Sequence, residues 1–313
     1  LTQLLVLGGT GFVGPAVVDA AVARGWEVTT FSGHPGSAHA HVRALRGDRM
    51  VPETLAAVTD RDWDLVVDTW ADDPRAVGWS LVALDDRVDA YAYVSSASVY
   101  AQPIAPGYDE TARVVDVPPA GAATDYAADK RAAELAVLGA QGGDGTLILR
   151  AGAIVGPREN TGRLLYWLRR VADGDPFLAP PPGSPLQWVD VRDLAEFAVI
   201  GALGVFNLVC RRDEMTLGDM IEACVTLTGS GATPAWADDA WLQANGVQPW
   251  NDLPLWLPAK SPEATLFTAD SSRARAAGYA PRDAADSARH LGVAVYAGRC
   301  AAARAHPGPR ARR

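Results

Sequence analysis

Lysine is nearly absent from this chain: of 28 basic residues only two are lysines, Lys130 and Lys260. Cysteine is scarce as well. Cys210, Cys224 and Cys300 are odd in number and form no C-x-x-C pair, which argues against a disulfide framework and a zinc ribbon. Cys210 and Cys224 lie in apolar settings and read as core. Long apolar runs are missing too. The apolar, uncharged stretch 197–210 of the second half is interrupted by Asn207 and falls short of the roughly 20 apolar residues that span a membrane. The apolar start, 1–7, lacks a basic leader and a small-residue cleavage site and runs straight into glycines, so it reads as a first strand rather than a signal peptide. His34, His39 and His41 share a loop with no adjacent acid or thiolate to complete a metal site, so no metal is expected. These absences point to a reducing, cytoplasmic setting with no membrane association.

Positive charge is short overall, with 37 acids against 28 bases and a net charge of −9. Five arginines (Arg299, Arg304, Arg310, Arg312, Arg313) fall in 299–313, where there is no acid, so the remaining chain carries −14. A body that acidic repels a phosphate backbone, and nucleic acid is not expected as a partner. The basic, Pro- and Ala-rich end reads as a disordered tail. What is present is ordinary for a globular protein: 49 % hydrophobic and 21 % charged residues over 313 positions, enough for one large domain or a large and a small one.

Over 1–150, short β-branched runs alternate with Ala-rich amphipathic segments, the pattern of a parallel sheet covered by helices. Strands are predicted at 3–7, 27–31, 42–46, 65–68, 91–95 and 146–149. Helices are predicted at 13–24, 52–59 and 126–138, the last opened by Thr124 and Asp125 as cap candidates. The expected fold class is α/β, a doubly wound parallel sheet. After Gly156 prolines cluster, and Trp236, Trp241, Trp250 and Trp256 crowd together, either packing a small lobe or lining a pocket. We therefore expect a dinucleotide-binding domain over 1–150, a smaller, discontinuous substrate lobe over 151–298, and a strand at 205–209 that returns to the main sheet.

Strand 3–7 leads into Gly8-Gly9-Thr10-Gly11-Phe12-Val13-Gly14 and then a helix. In such a turn Gly8 permits the bend, Gly11 lets the backbone approach a pyrophosphate at the helix N-terminus, and Gly14 lets helix and strand pack closely. The end of the second strand, Phe31-Ser32-Gly33-His34, carries neither the acid usual for NAD nor a cation for NADP, and no Lys or Arg occurs between Glu27 and His41. A phosphate dianion needs a counter-charge more than a neutral diol needs a carboxylate, and Ser32 can bond a hydroxyl, so the stretch favours NAD while leaving NADP open.

One of the two lysines lies four residues after a tyrosine, in Tyr126-Ala127-Ala128-Asp129-Lys130, and on a helix that spacing puts both on one face. An ordinary tyrosine ionises near pH ~10, so acting as a base near neutrality requires a depression of roughly 3 units, which a lysine ammonium and a cationic nicotinamide can supply together. The strand at 91–95 ends in Ser95-Ser96-Ala97-Ser98-Val99-Tyr100, placing hydroxyls at the carboxyl end of a parallel strand, where such sheets bind ligands.

The order of glycine loop, serine strand end and Y-x-x-x-K resembles the extended short-chain dehydrogenases/reductases, also called the NAD-dependent epimerase/dehydratase family, over about residues 3–210. The resemblance implies a catalytic set of Ser96, Tyr126 and Lys130. It also implies cofactor contacts from Gly8, Gly11, Phe12, Val13, Gly14, Ser32, Asp48 and Arg49 near the adenine, from Thr69-Trp70-Ala71, from Ala153 and Ile154 beside the nicotinamide, and from Tyr126 and Lys130. Arg158 and Arg163 are the candidates for a substrate pyrophosphate. Two departures stand out: Ser96-Ala97-Ser98 replaces the Thr-Asp-Glu of nucleotide-sugar dehydratases, and Ala101 replaces the usual glycine. The implied activity is an epimerase/dehydratase reaction through transient oxidation of a secondary hydroxyl on a sugar-like small molecule. The alternatives are an NAD(P)H-dependent ketone reductase or alcohol dehydrogenase and, in another class, a non-catalytic dinucleotide-sensing or RNA-associated protein. A homodimer is compatible with all of these.

Overall fold

The structure, a computed structural model, describes residues 1–34, 36, 39–119, 122–283 and 286–287. The tail expected at 299–313 lies outside them, as does Cys300. In chain order the elements are β1 (Gln3–Leu7), α1 (Val13–Ala23), β2 (Glu27–Ser32), β3 (Arg43–Arg46), β4 (Trp63–Asp68), α2 (Arg75–Ala83), β5 (Val88–Ser96), α3 (Tyr126–Gln141), β6 (Thr146–Ala151), β7 (Ala153–Val155), α4 (Arg163–Ala172), β8 (Phe177–Ala179), β9 (Trp188–Asp190), α5 (Val191–Ala198), β10 (Gly204–Leu208), α6 (Leu217–Thr228), β11 (Pro234–Trp236), α7 (Asp239–Ala244) and α8 (Ser272–Ala276).

The chain divides into two compact units. The first comprises Leu1–Ile154, Gln187–Arg212 and Thr265–Pro281; the second includes Val155–Leu186 and Asp213–Ala264. In the first unit seven strands form one sheet in the order β3-β2-β1-β4-β5-β6-β10, every pairing parallel. The sheet is buried on both faces, which explains why its strands are continuous apolar runs rather than alternating ones. Leu4, Val6, Leu65, Val67, Ala92, Val94, Leu147 and Leu149 face the core that holds α1 and α5. Leu5, Leu7, Val66, Tyr91, Tyr93 and Ile148 face the core that holds Val77 and Leu81 of α2 and Ala133 and Val137 of α3. Two sequence expectations need amendment. Helix α2 was not anticipated, because its N-cap is Pro74, which offers no side-chain acceptor. The helix expected at 52–59 is a 3-10 run, Pro52–Val58.

Helix α3 is fixed to the sheet by charge as well as by apolar packing. Fully buried Glu134 accepts from Arg150 Nε and Nη2, at 2.9 Å each, from Ser95 Oγ at 2.7 Å, and from Arg131 Nη1 at 2.8 Å. Burial opposes the Arg150 charge, but Glu134 outweighs it and raises the Arg150 pKa above its ordinary value. Arg150 also stacks over Tyr100, whose hydroxyl donates to Asn207 on β10 at 2.6 Å.

Within the second unit, Trp167 of α4 is fully buried, donates to the Pro254 carbonyl at 2.8 Å and lies 6.4 Å from the Phe177 ring. Gly218 opens toward Pro182 so closely that a Cβ there would meet the Pro182 carbonyl at 2.8 Å. The four tryptophans part company: Trp256 is fully buried, Trp250 carries the Arg163 guanidinium 4.9 Å from its ring centroid, and Trp236 and Trp241 are exposed. Cys210 and Cys224 are buried, as expected of core residues. No helix among the described residues is long and apolar enough to cross a membrane.

The α3 anchor gives a stability prediction. Removing Glu134 leaves Arg150 buried without its counter-charge, so Glu134→Ala should lose about 3–5 kcal/mol of unfolding free energy. Urea titration measures it, and a loss within experimental error would show that the network does not hold α3.

Candidate active site

Strand order reverses between β1 and β4, and the carboxyl ends of the strands around that point carry most of the expected residues. The glycines divide their work. Gly14 serves packing, since a Cβ there would stand 2.2 Å from the Gly8 carbonyl oxygen and 2.8 Å from Gly9 Cα. Gly8 has φ +102 and would bring a side chain onto Thr69 Oγ1. A Cβ on Gly11, by contrast, meets nothing nearer than the Gly8 carbonyl at 3.8 Å. Helix α1 follows with Phe12 at its N-cap, no side-chain cap and no acid in its first turn. Amide donors without a side-chain cap, beside a glycine with room on its outer side, fit the pyrophosphate of a dinucleotide. Phe12 and Val13 are buried behind the loop, and Thr69 closes its other side by donating to the Leu7 carbonyl at 3.0 Å.

Asp125 caps α3 by accepting from the Ala128 amide, and the helix carries Tyr126, Lys130 and Glu134 in one row. Tyr126 is half exposed, while Lys130 is buried. The Lys130 ammonium donates to two main-chain carbonyls, Trp70 at 2.6 Å and Val94 at 2.8 Å, and lies 4.7 Å from the Tyr93 ring centroid and 6.0 Å from that of Tyr126. Burial draws its pKa down to about 8, against the pull of Asp68, Asp72 and Glu134. Ser96 ends β5, accepts from the Ser98 amide at 3.1 Å and donates to Ser98 Oγ at 3.1 Å. Ser95 points to the other face and donates its hydroxyl to Glu134, so it cannot stand in for Ser96.

The remaining candidates are placed as follows. Ser32 donates to the His34 carbonyl at 2.6 Å, which leaves its oxygen as an acceptor. Asp48 is exposed and accepts from the Met50 amide at 2.8 Å. Arg49, expected near the adenine, is buried, with its guanidinium bonded to Asp68, Ala76 and Ser80. That commitment removes its side chain from the cofactor set. Ala71 is exposed beside Trp70, Ala153 is buried, and Ile154 is half-buried. Arg158, at φ +69, and Arg163 belong to the second unit. His39 pairs with Asp19 of α1 at 2.7 Å, an acid that sequence proximity could not reveal. Sequence reasoning also missed Glu134, although its place four residues beyond Lys130 was a readable signal.

A parallel sheet of this order, with a glycine loop at the switch point and Y-x-x-x-K on the helix after β5, defines an enzyme of the short-chain dehydrogenase/reductase superfamily. A model of the NAD dependent epimerase/dehydratase family matches residues 4–86 and 81–203, and the chain belongs to that family. Among solved structures it resembles the UDP-glucose 4-epimerase of Thermotoga maritima with UDP-glucose, at 15% identity over 95% of this chain and 99% of that one, TM-score 0.71. It also resembles the UDP-glucose 4-epimerase of Thermus thermophilus in complex with NAD, at 19% identity over 94% and 99%, TM-score 0.67. A third, the UDP-N-acetylglucosamine 4-epimerase of Bacillus cereus, shares 14% identity over 95% and 97%, TM-score 0.69. At these identities the likeness is one of fold. No curated protein sequence matches the chain.

The two glycines yield a paired prediction. Gly11→Val should abolish dinucleotide binding in calorimetry and leave the unfolding transition cooperative, because only the ligand side of the loop is filled. Gly14→Ala should instead cost about 1–3 kcal/mol of stability through overpacking. Cofactor affinity unchanged in Gly11→Val would move the site elsewhere.

Proposed function

We propose that this chain binds NAD and transiently oxidises a secondary hydroxyl on a sugar-like small molecule, a nucleotide sugar, a nucleoside or a related intermediate, returning the hydride within one turnover. The observation that carries this reading is the buried Lys130 ammonium beside half-exposed Tyr126, on the helix that follows the Ser96 strand end. The bound nicotinamide supplies the hydride acceptor and donor.

Every other step falls to the chain. The open amides of α1 and the Gly11 cradle hold the pyrophosphate. Ser32, whose proton is committed to His34, offers lone pairs only, so it suits a ribose hydroxyl and repels a 2′-phosphate. Lys130 keeps a third ammonium proton beyond the two given to carbonyls, and its charge stabilises Tyr126 as a tyrosinate. Tyr126 Oη then takes the proton of the substrate hydroxyl as hydride leaves its carbon, and gives the proton back when hydride returns. Ser96 Oγ and its neighbour Ser98 orient the reacting oxygen. An elimination needs an acid and a base flanking that carbon, and Ala97 and Ser98 supply neither, which favours epimerisation over dehydration.

Tyr126→Phe should lose most of the turnover, at least ~100-fold, while folding and binding NAD as before. Lys130→Met should lower both turnover and NAD affinity, and Ser96→Ala should be milder because Ser98 remains. The assay screens nucleotide sugars and nucleosides carrying deuterium at the reacting carbon: retention of label in product supports the redox-neutral reaction, and stoichiometric reduced cofactor in solution establishes a dehydrogenase instead. Full activity of Tyr126→Phe refutes the catalytic assignment.

A pH dependence follows from Lys130. Its ammonium is the required form, and burial draws its pKa to about 8, so kcat/KM of the free enzyme should fall as pH rises through about 8. Titration of NAD and NADP at matched ionic strength should show tighter NAD binding, and the reverse order would mean that a cation from outside 28–42 reaches the 2′-phosphate.

A further inference from the structure

Arg49 and Asp68 form the most completely enclosed ion pair of the first unit, with side-chain exposures of 3% and 0%. Arg49 Nη1 and Nη2 bridge the two carboxylate oxygens at 2.5 and 2.8 Å, and Nη2 also reaches the Ala76 carbonyl and Ser80 Oγ on α2. Asp68 Oδ1 accepts from the Trp70 amide at 2.9 Å, and Oδ2 from the Tyr91 hydroxyl at 2.6 Å. Every strong acceptor direction of the carboxylate is used, so Asp68 cannot act on a ligand, and Arg49 cannot reach one. Apolar residues of similar volume would stabilise such a spot as well or better, so stability alone does not account for the pair.

The pair does one thing that apolar residues could not. It pins the turn at Trp70 from two sides: Asp68 holds the Trp70 amide and the Arg49 guanidinium lies 5.2 Å from the Trp70 ring centroid, while the indole itself donates to the Asp73 carbonyl at 2.8 Å. The carbonyl of that same residue takes the Lys130 ammonium at 2.6 Å and the Tyr93 hydroxyl at 3.2 Å. We propose that Arg49 and Asp68 are positioning residues, a buried pair that fixes the Trp70 turn and so holds in place the carbonyl that takes the Lys130 ammonium beside Tyr126. This deepens the reading of Tyr126 and Lys130 as the working pair and rests on it.

The charged and titratable groups around Lys130 are Asp68, Asp72, Glu134 and Arg49, together with the Tyr93 and Tyr126 rings. Burial opposes the ammonium first; Asp68 is the largest support, and Arg49 opposes it less than Asp68 helps. The pair therefore acts on Lys130 through its negative end.

Two lysines in the whole chain make the test direct. With ε-13C-labelled lysine the protein gives two side-chain signals, and Lys130→Met assigns them. The double variant Arg49→Met/Asp68→Asn leaves no lone buried charge and keeps an acceptor for the Trp70 amide. In it, Lys130 should titrate about one pH unit lower than in the wild type, in the absence of any cofactor or substrate. Should the double variant not fold, Arg49→Lys keeps the charge but cannot bridge both carboxylate oxygens and α2 together, and the third lysine signal it adds is told apart with Arg49→Lys/Lys130→Met. The loosened Trp70 turn should then lower the Lys130 titration as well. A folded variant of either kind in which Lys130 titrates as in the wild type overturns the proposal. Because this readout needs no turnover, it stands apart from the Tyr126→Phe assay: an active Tyr126→Phe would refute the catalytic reading and leave the effect on Lys130 measurable.

Discussion

A lysine ammonium buried against two main-chain carbonyls is the constraint around which the first unit is organised. Carbonyl dipoles alone do not recover the hydration that the charge gives up, so carboxylates must stand near it, and each of those, being itself out of water, must be neutralised in turn. That chain of requirements is visible. Asp68 supports the Lys130 charge and is paired with Arg49; Glu134 supports it from the same helix and is paired with Arg150. Five buried charges thus gather at the carboxyl ends of the central strands and on α3, with one positive charge in excess. A net positive cluster there is compatible with the proposed roles, an anionic dinucleotide bound nearby and Tyr126 acting as a tyrosinate.

A similar division holds among the glycines. Two of the three motif glycines answer to the protein itself, Gly14 to the Gly8 carbonyl and Gly8 to Thr69 and its own backbone angle, while Gly11 answers to nothing in the chain. At the N-terminus of a helix with no side-chain cap, that room is suited to an anion. That asymmetry, more than the spacing of the motif, is what supports the proposed phosphate site.

How much could be read beforehand depends on how local the code is. The glycine loop, the serine at the end of β5 and the Y-x-x-x-K row are encoded within a few residues by turn geometry and helical periodicity, and each stands where it was expected. Strand β10 joined the main sheet because an apolar run after the proline-rich segment had nowhere else to be buried on both sides. Arg49 was misplaced because its partner is 19 residues away on another strand, and nothing at 49 says whether the side chain points in or out. Helix α2 was invisible for the opposite reason: its signals are local but missing, with Pro74 at the cap and Gly78 in its middle. Its existence is imposed by the sheet, whose second face needs Val77 and Leu81 to cover it.

Arg49 also shows why a charged residue beside a cofactor segment is a poor guide to binding. A cation intended for a phosphate must keep donors free and partly hydrated, whereas Arg49 has committed both terminal nitrogens to four protein acceptors, and its Nε has no partner among the described residues. With its charge balanced by Asp68, it carries no net attraction toward an anion outside. What it retains is direction: a guanidinium and a carboxylate held in line form a dipole, and the end nearer the reacting centre sets its sign. Asp68 supports the Lys130 charge more than Arg49 opposes it, so the pair favours a cation there without altering the net charge. An apolar pair would remove the largest of the carboxylate contributions that offset the lysine's desolvation.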